Sequence, residues 1–210
     1  MSQFPEAEFL LSAWQPEQFP PDTGTEVAFV GRSNSGKSSA LNAITGRRDL
    51  ARTSKTPGRT QLINFFALRQ GQRLADLPGY GYAKVPAEMQ RHWRELMNRY
   101  VASRDSLAGL MIVMDARRPL TDFDLQMLDW TRSEGLATHL LLTKADKLSR
   151  SEAMTTLKQV QAKTTGVASA QLFSAVTKSG VDEARGWVLG TLRQTQVRKK
   201  AAQKKNPDGS

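Results

Sequence analysis

Between Gly31 and Asn42 the chain sets small side chains around one lysine: Gly31-Arg32-Ser33-Asn34-Ser35-Gly36-Lys37-Ser38-Ser39-Ala40-Leu41-Asn42, directly after the apolar run Val27 to Val30. Gly31 to Ser38 fits the pattern of a glycine, four variable residues, then Gly-Lys-Ser, which cradles phosphates. Backbone N–H groups of residues 33–38 are expected to converge on an anion, which requires small side chains and a permissive Gly36. A helix starting near Lys37 would add its unsatisfied N–H groups and its positive dipole end. Lys37 supplies a point charge for β- and γ-phosphates. The Ser38 hydroxyl suits Mg²⁺, a hard cation that takes few protein oxygens.

Two further stretches belong to the same chemistry. Asp76-Leu77-Pro78-Gly79 stands at the end of a strand-like run. Asp76 there can hold a Mg²⁺ water, and Gly79 can offer its N–H to a γ-phosphate. A bond made only to the third phosphate would be lost on hydrolysis and release the segment that follows. Thr60 ends a basic loop just before a strand and can bring a hydroxyl to Mg²⁺ and an N–H to the γ-phosphate. Thr53 and Thr56 compete for this role, but only Thr60 borders the strand.

The base is read elsewhere. Thr143-Lys144-Ala145-Asp146 follows the apolar run Thr138 to Leu142. A carboxylate at that strand end can accept from N1–H and the N2 amino group of guanine. Adenine offers neither donor there, and the mismatch costs several kcal/mol when buried. The Lys144 stem can lie over the base with its ammonium in water. In Ser174-Ala175-Val176 small residues allow a backbone N–H, that of Ala175, to reach guanine O6. GTP is therefore expected over ATP.

The elements that must position these groups alternate. Val27–Val30, Arg73–Asp76, Leu107–Met114, Thr138–Leu142 and Ala170–Phe173 are strand-like. Gln61–Leu68 joins Arg73–Asp76 through Arg69-Gln70-Gly71-Gln72 as an antiparallel hairpin at the sheet edge. Helical spacing covers Ser38–Thr45, Ala87–Ser103, Asp122–Ser133, Ser151–Lys163 and Val181–Gln196. Met89, Trp93, Leu96, Met97 and Tyr100 form the apolar stripe of the second helix. The alternation predicts an α/β three-layer domain whose mostly parallel, six-stranded sheet carries one antiparallel edge strand. Residues 1–24 read as a proline-rich arm on the domain, with a short strand near Phe9 to Leu11. Residues 25–196 read as the domain, and 197–210 as a basic, disordered tail.

Composition narrows the class. The chain of 210 residues has no cysteine and a formal charge of +10. Disulfides, thiolate metal sites, cysteine nucleophiles and lipidation at cysteine are excluded, and a reducing cytoplasm is the expected location. No apolar run is long enough to span a bilayer, and no apolar leader opens the chain. About half of the basic excess lies after residue 192. That tail is either a solubilising end or a nucleic-acid contact. His92 and His139 are too scattered for a metal cluster, and His139 is read as structural.

The stretches Gly31 to Ser38, Thr53-Ser54-Lys55-Thr56-Pro57-Gly58-Arg59-Thr60-Gln61, Asp76-Leu77-Pro78-Gly79-Tyr80-Gly81-Tyr82-Ala83 and Thr143 to Asp146 resemble the EngB family of bacterial GTPases, from about residue 5 to 195. The resemblance implies a Ras-like G domain, monomeric and cytoplasmic, that binds GDP and GTP. It also implies a partnership with the large ribosomal subunit precursor and its rRNA, and a role in normal cell division and septation. Carried onto this chain, it assigns the phosphates to Gly31 through Ser39 with Gly58, Arg59 and Thr60. Mg²⁺ falls to Ser38 and Thr60, γ-phosphate sensing to Asp76, Leu77, Pro78 and Gly79, and the base to Thr143, Lys144, Asp146 and Ser174 to Val176. Many GTPases outside the family have Asn in place of Thr143. A threonine is expected to lose the amide's bracing of the phosphate loop and weaken affinity.

Catalysis would rest on Lys37, Thr60, Gly79 and Asn34. Tyr80 follows Gly79 where related GTPases carry a water-positioning Gln, and a phenol of pKa ~10 is no base near neutrality. Slow turnover is the expectation. The resemblance implies that Asn34 helps hold K⁺ against the phosphates; the residue alone could equally brace the loop. Arg47, Arg48, Arg52, Lys55, Arg59 and Lys84, with Arg91, Arg94 and Arg99, form a basic rim suited to rRNA, although Arg91 and Arg94 could be solvated helix positions. Two rivals stay open: an RNA-binding assembly scaffold with a degenerate GTPase, and a phosphate-loop small-molecule kinase.

Overall fold

Strand alternation in the apolar runs decides which side of the sheet each helix covers. A computed structural model describes residues 4–51, 62–80 and 87–205. Its strands are β1 (Glu8–Ala13), β2 (Thr25–Gly31), β3 (Ile63–Ala67), β4 (Gln72–Asp76), β5 (Leu107–Asp115), β6 (Ala137–Thr143) and β7 (Ser169–Leu172). Its helices are α1 (Lys37–Thr45), α2 (Ala87–Ser103), α3 (Asp122–Ser133), α4 (Arg150–Lys163) and α5 (Val181–Lys205). Ala28, Val30, Leu110, Ile112, Met114, Leu140 and Leu142 face one core, with Leu96, Met97 and Tyr100 of α2, Met127 and Leu128 of α3, and Val160 of α4. Val27, Phe29, Met111, Val113 and Leu141 face the other, with Leu41 and Ile44 of α1 and Ala184, Val188 and Leu192 of α5. These strands are buried on both faces, which is why they read as continuous apolar runs.

The sheet runs β1-β3-β4-β2-β5-β6-β7. β2 pairs parallel with β4 and β5, β6 lies between β5 and β7, and β3 is antiparallel to both β1 and β4. The α/β three-layer expectation holds, but the sheet has seven strands, not six. The arm's strand is longer than expected and lies outside β3, whose exposed edge it covers. At the other end, α5 continues past Gln196 to Lys205. Alanine, lysine, arginine and glutamine are good helix formers, so the stretch after 196 carries no stop signal before Pro207. No described helix is long and apolar enough to cross a membrane.

The end of β2 remote from Gly31 carries a buried charge cluster. Glu26 is fully buried. Its carboxylate accepts from Arg73 Nη2 at 2.8 Å, Ser106 Oγ at 2.8 Å and the Tyr100 hydroxyl at 3.0 Å, and it pairs with Arg104. The Arg104 guanidinium lies among the Phe19, Phe65 and Tyr100 rings, and its Nη1 donates to Pro20 O at 3.1 Å. Burial, reinforced by the adjacent Glu26 charge, pushes the Tyr100 phenol well above 10. The arm is thus tied to the sheet through carbonyls that the arginines hold. His139 is structural, as expected: Ser169 Oγ at 2.7 Å and Gln171 Oε1 at 3.0 Å partner its two ring nitrogens, and burial lowers its pKa to about 4.

Removing the Glu26 carboxylate would leave two guanidiniums buried without a counter-charge. Glu26→Ala is expected to lower the free energy of unfolding in urea by about 3–5 kcal/mol; a loss under about 1 kcal/mol would contradict this account.

Candidate functional site

The carboxyl ends of β2, β4, β5 and β6 meet at one rim, because the parallel register sets Phe29 beside Asp76, Gly31 beside Val113 and Asp115 beside Thr143. Ligands of open α/β sheets bind at this rim. β2 ends at Gly31, where an added Cβ would stand 2.5 Å from the Val113 carbonyl oxygen and 2.7 Å from Ser35 Oγ. A strand carbonyl cannot yield, so only glycine fits. Asn34 (φ 62°) and Gly36 (φ 94°) adopt left-handed conformations on either side of Ser35. Such alternation turns successive amides toward one point and makes an anion-binding concavity. Gly36 caps α1, whose first internal bond is Ala40 N to Gly36 O at 2.9 Å. The amides of Lys37, Ser38 and Ser39 precede that bond and belong to the helix's positive end.

One expectation needs correction here. The Ser33 amide donates to Tyr80 O at 3.0 Å and the Ser35 amide to Arg32 O at 3.0 Å. Both are used in shaping the loop, so neither of these two amides points at an anion.

Lys37 forms an ion pair with Asp76, and the two side chains are 13% and 9% exposed. The turn after Asp76 runs alongside the end of β2: Leu77 N donates to Phe29 O at 2.9 Å and Tyr80 N to Gly31 O at 3.3 Å. Trp93 Nε1 reaches Pro78 O at 3.3 Å. The Tyr80 hydroxyl donates to Asp124 at 2.6 Å. Burial, with the Asp124 charge second, pushes this phenol well above 10. Gly79 is therefore flanked by residues anchored to β2, α2 and α3, and Tyr80 is a structural anchor.

Thr143 corrects a second expectation. Its hydroxyl lies within hydrogen-bonding distance of the Ser35 carbonyl and 2.9 Å from Met114 O. The threonine does brace the phosphate loop, gripping a backbone carbonyl where an amide side chain was thought necessary. Lys144 adds a second brace: its Nζ donates to Asn34 O at 2.6 Å and to Asp115 Oδ2 at 3.0 Å. The ammonium is thus a strut as well as a solvated head. Asp115, which sequence reasoning missed, is also gripped by Arg117 through Nε at 2.9 Å and Nη2 at 2.7 Å. These bonds, that from Arg117 foremost, hold its carboxyl well below the usual range. Its position after an apolar strand, like that of Asp76, was the available signal.

At the end of β6, Asp146 accepts from Ser174 Oγ at 2.6 Å, and this bond chiefly lowers its pKa. Ser174 in turn accepts from the amides of Val176 at 3.2 Å and Thr177 at 3.1 Å. Asp146 and Ser174, the pair expected to meet the base, are thus one hydrogen-bonded unit, further joined by Ala145 N to Phe173 O at 3.2 Å. An open cleft of about 1260 Å³ adjoins it, lined among others by Ser39, Arg48, Ala175, Val176 and Lys178. Gly58, Arg59 and Thr60 lie outside the described residues, as do Thr53, Thr56, Arg52, Lys55 and Lys84.

The residues fit a magnesium-bound polyphosphate. Glycine at 31 and 36 preserves a cradle that a Cβ would fill or strain, Lys37 supplies a cation, and Ser38 and Asp76 offer hard oxygens.

A family model described as 50S ribosome-binding GTPase matches residues 26–144. The probable GTP-binding protein EngB of Stenotrophomonas maltophilia is 53% identical over 190 residues, covering 89% of this chain and 95% of that one. Its counterpart in Coxiella burnetii is 52% identical over 185 residues, 87% of this chain and 90% of the relative. Among solved structures, a probable GTP-binding protein engB matches with a TM-score of 0.64 at 19% identity, over 81% of this chain and all (100%) of that one. A variant of Aquifex aeolicus Era bound to GDP and aluminium fluoride gives 0.63 at 17% identity, over 79% and 56%. At such identities the two structures speak for the fold alone.

If the Thr143 hydroxyl holds the loop, Thr143→Val should weaken guanine-nucleotide binding about tenfold, the scale of one buried hydrogen bond. Calorimetric titration with GDP and magnesium measures it, and an unchanged affinity in a folded variant would refute the brace.

Proposed function

The chain belongs to the EngB family of GTP-binding proteins, and from that premise we propose that it binds GTP and GDP as a cytoplasmic monomer, hydrolyses GTP slowly, and assists assembly of the large ribosomal subunit in support of division and septation. The observation that carries this reading is Asp146. Its carboxylate is oriented by Ser174 at the rim that also holds the Lys37 loop. A phosphate-loop kinase would have no use for an acceptor held there.

In this reading Gly31 to Ser39 envelop the phosphates and Lys37 leaves Asp76 to neutralise the β- and γ-oxygens. Ser38 and Thr60 would hold Mg²⁺, which supplies charge neutralisation at those oxygens; Asp76 would hold one of its waters. Gly79 offers its amide to the γ-phosphate, with Leu77 and Pro78 setting the turn, and Gly58 and Arg59 would add to phosphate binding. Lys144 and Asp146 take the base, and the Ala175 amide is aimed at O6. Asn34, left-handed with its carbonyl fixed by Lys144, has a side chain placed by a rigid backbone, which favours a role beside a K⁺ ion. The attacking water must be oriented without Tyr80, whose phenol is engaged by Asp124. Slow turnover follows.

The test uses purified large-subunit precursor particles. Co-sedimentation should be stronger with a non-hydrolysable GTP analogue than with GDP, and basal turnover should be faster in potassium than in sodium chloride at equal ionic strength. Sedimentation indifferent to the nucleotide would contradict the switch, and equal rates would contradict the ion.

A further inference from the structure

A second cavity, of about 450 Å³, lies against the phosphate loop. Arg32 to Ser35 form one wall; Met114, Asp115, Arg117 and Arg118 form another; Lys144 and Asp124 complete it. Four cationic side chains thus face two carboxylates, and both carboxylates are already engaged. Asp115 is taken by Arg117 and Lys144. Asp124 accepts from the Tyr80 hydroxyl at 2.6 Å, and from the Thr121 amide at 2.9 Å and hydroxyl at 2.8 Å. Among the described residues neither Arg32 nor Arg118 forms an ion pair. Ser35 Oγ, in the same wall, is buried without a hydrogen-bond partner among the described residues.

We propose that this cavity is a docking site for a backbone phosphate of RNA, gripped by Arg118 and Arg32. The planar, forked guanidinium matches phosphate oxygens in pairs. Among the described residues the lining has no aromatic platform, so it suits a phosphodiester and not a stacked base. A chain of net charge +10 is drawn to a polyanion such as the RNA backbone. The proposal rests on the reading of the protein as a partner of rRNA and names where one contact is made. Lys144 spans this cavity and the phosphate loop, holding Asp115 in the one and the Asn34 carbonyl in the other. An RNA phosphate seated here therefore presses on the backbone that would grip the nucleotide, and by linkage the two ligands alter each other's affinity.

The test is filter binding of the full chain to a labelled fragment of large-subunit rRNA across a salt series. Arg118→Ala should lower the slope of log K against log salt by about one, the mark of one lost phosphate contact. Arg118→Lys should keep the slope, and Lys163→Ala, an exposed cation at the C-terminal end of α4, should leave it unaltered. Wild-type affinity and slope in Arg118→Ala would overturn the site while leaving the rRNA reading intact. Failure of the wild-type chain to bind the rRNA at all would overturn that reading and the site with it. Two competitors separate other anions. If inorganic phosphate bound in an Arg118-dependent way while RNA did not, a small anion would be the ligand. Polyglutamate displacing RNA as well as a second RNA does would point to an acidic protein. Either result overturns the proposal.

Discussion

Two adjacent carbonyl oxygens of the phosphate loop, those of Asn34 and Ser35, are held by side chains from a strand end more than a hundred residues away. A loop shaped by left-handed residues has no internal ladder to fix it, so its geometry depends on such external struts. Thr143 and Lys144 supply them, and they lie directly before Asp146. The cradle for phosphates and the acceptor proposed for the base therefore move as one body. A nucleotide that satisfies both engages a preformed surface and loses less binding energy to ordering.

The sheet makes this arrangement inevitable. Gly31, Asp76, Asp115 and Thr143 each end a parallel strand, and the register aligns them along one rim. At the opposite end Glu26 gathers Arg73, Arg104, Ser106 and Tyr100 and fastens the arm. Breaking such a buried cluster is costly, whereas its net contribution over a well-packed apolar equivalent is small. Its clearest effect is to fix where the arm runs, and β1 then covers β3. The candidate site and the buried anchorage thus occupy opposite ends of β2.

What was legible in the sequence was what is decided locally. Glycine at 31 and 36, lysine at 37 and a helix after them are demanded by backbone geometry within eight residues, and the strand alternation named the layers. Bonds between distant segments were not legible. Nothing near Thr143 announces that its hydroxyl meets Ser35, so the absence of an amide looked like a lost brace. The Ser33 amide looked available because Tyr80, its acceptor, arrives from another strand. Asp115 stands at a strand end like Asp76, but no glycine turn follows to mark it. The seventh strand was visible only as a short run in an arm, since Phe9 and Leu10 are exposed and spoil the expected alternation. The run of helix after Gln196 was masked by its charge, which suggested a tail, although its residues favour helix.

The central claim is that the carboxylate of Asp146, set by Ser174 and fixed to the phosphate cradle, chooses the purine. Competitive titration of the Asp146→Asn variant with guanosine and xanthosine triphosphates tests it most directly, since asparagine turns an acceptor into a donor and xanthine O2 accepts where guanine donates. The account predicts that the variant prefers the xanthosine nucleotide, while the unaltered chain prefers GTP. A variant that held GTP as firmly as the parent, with no gain for xanthosine triphosphate, would contradict it.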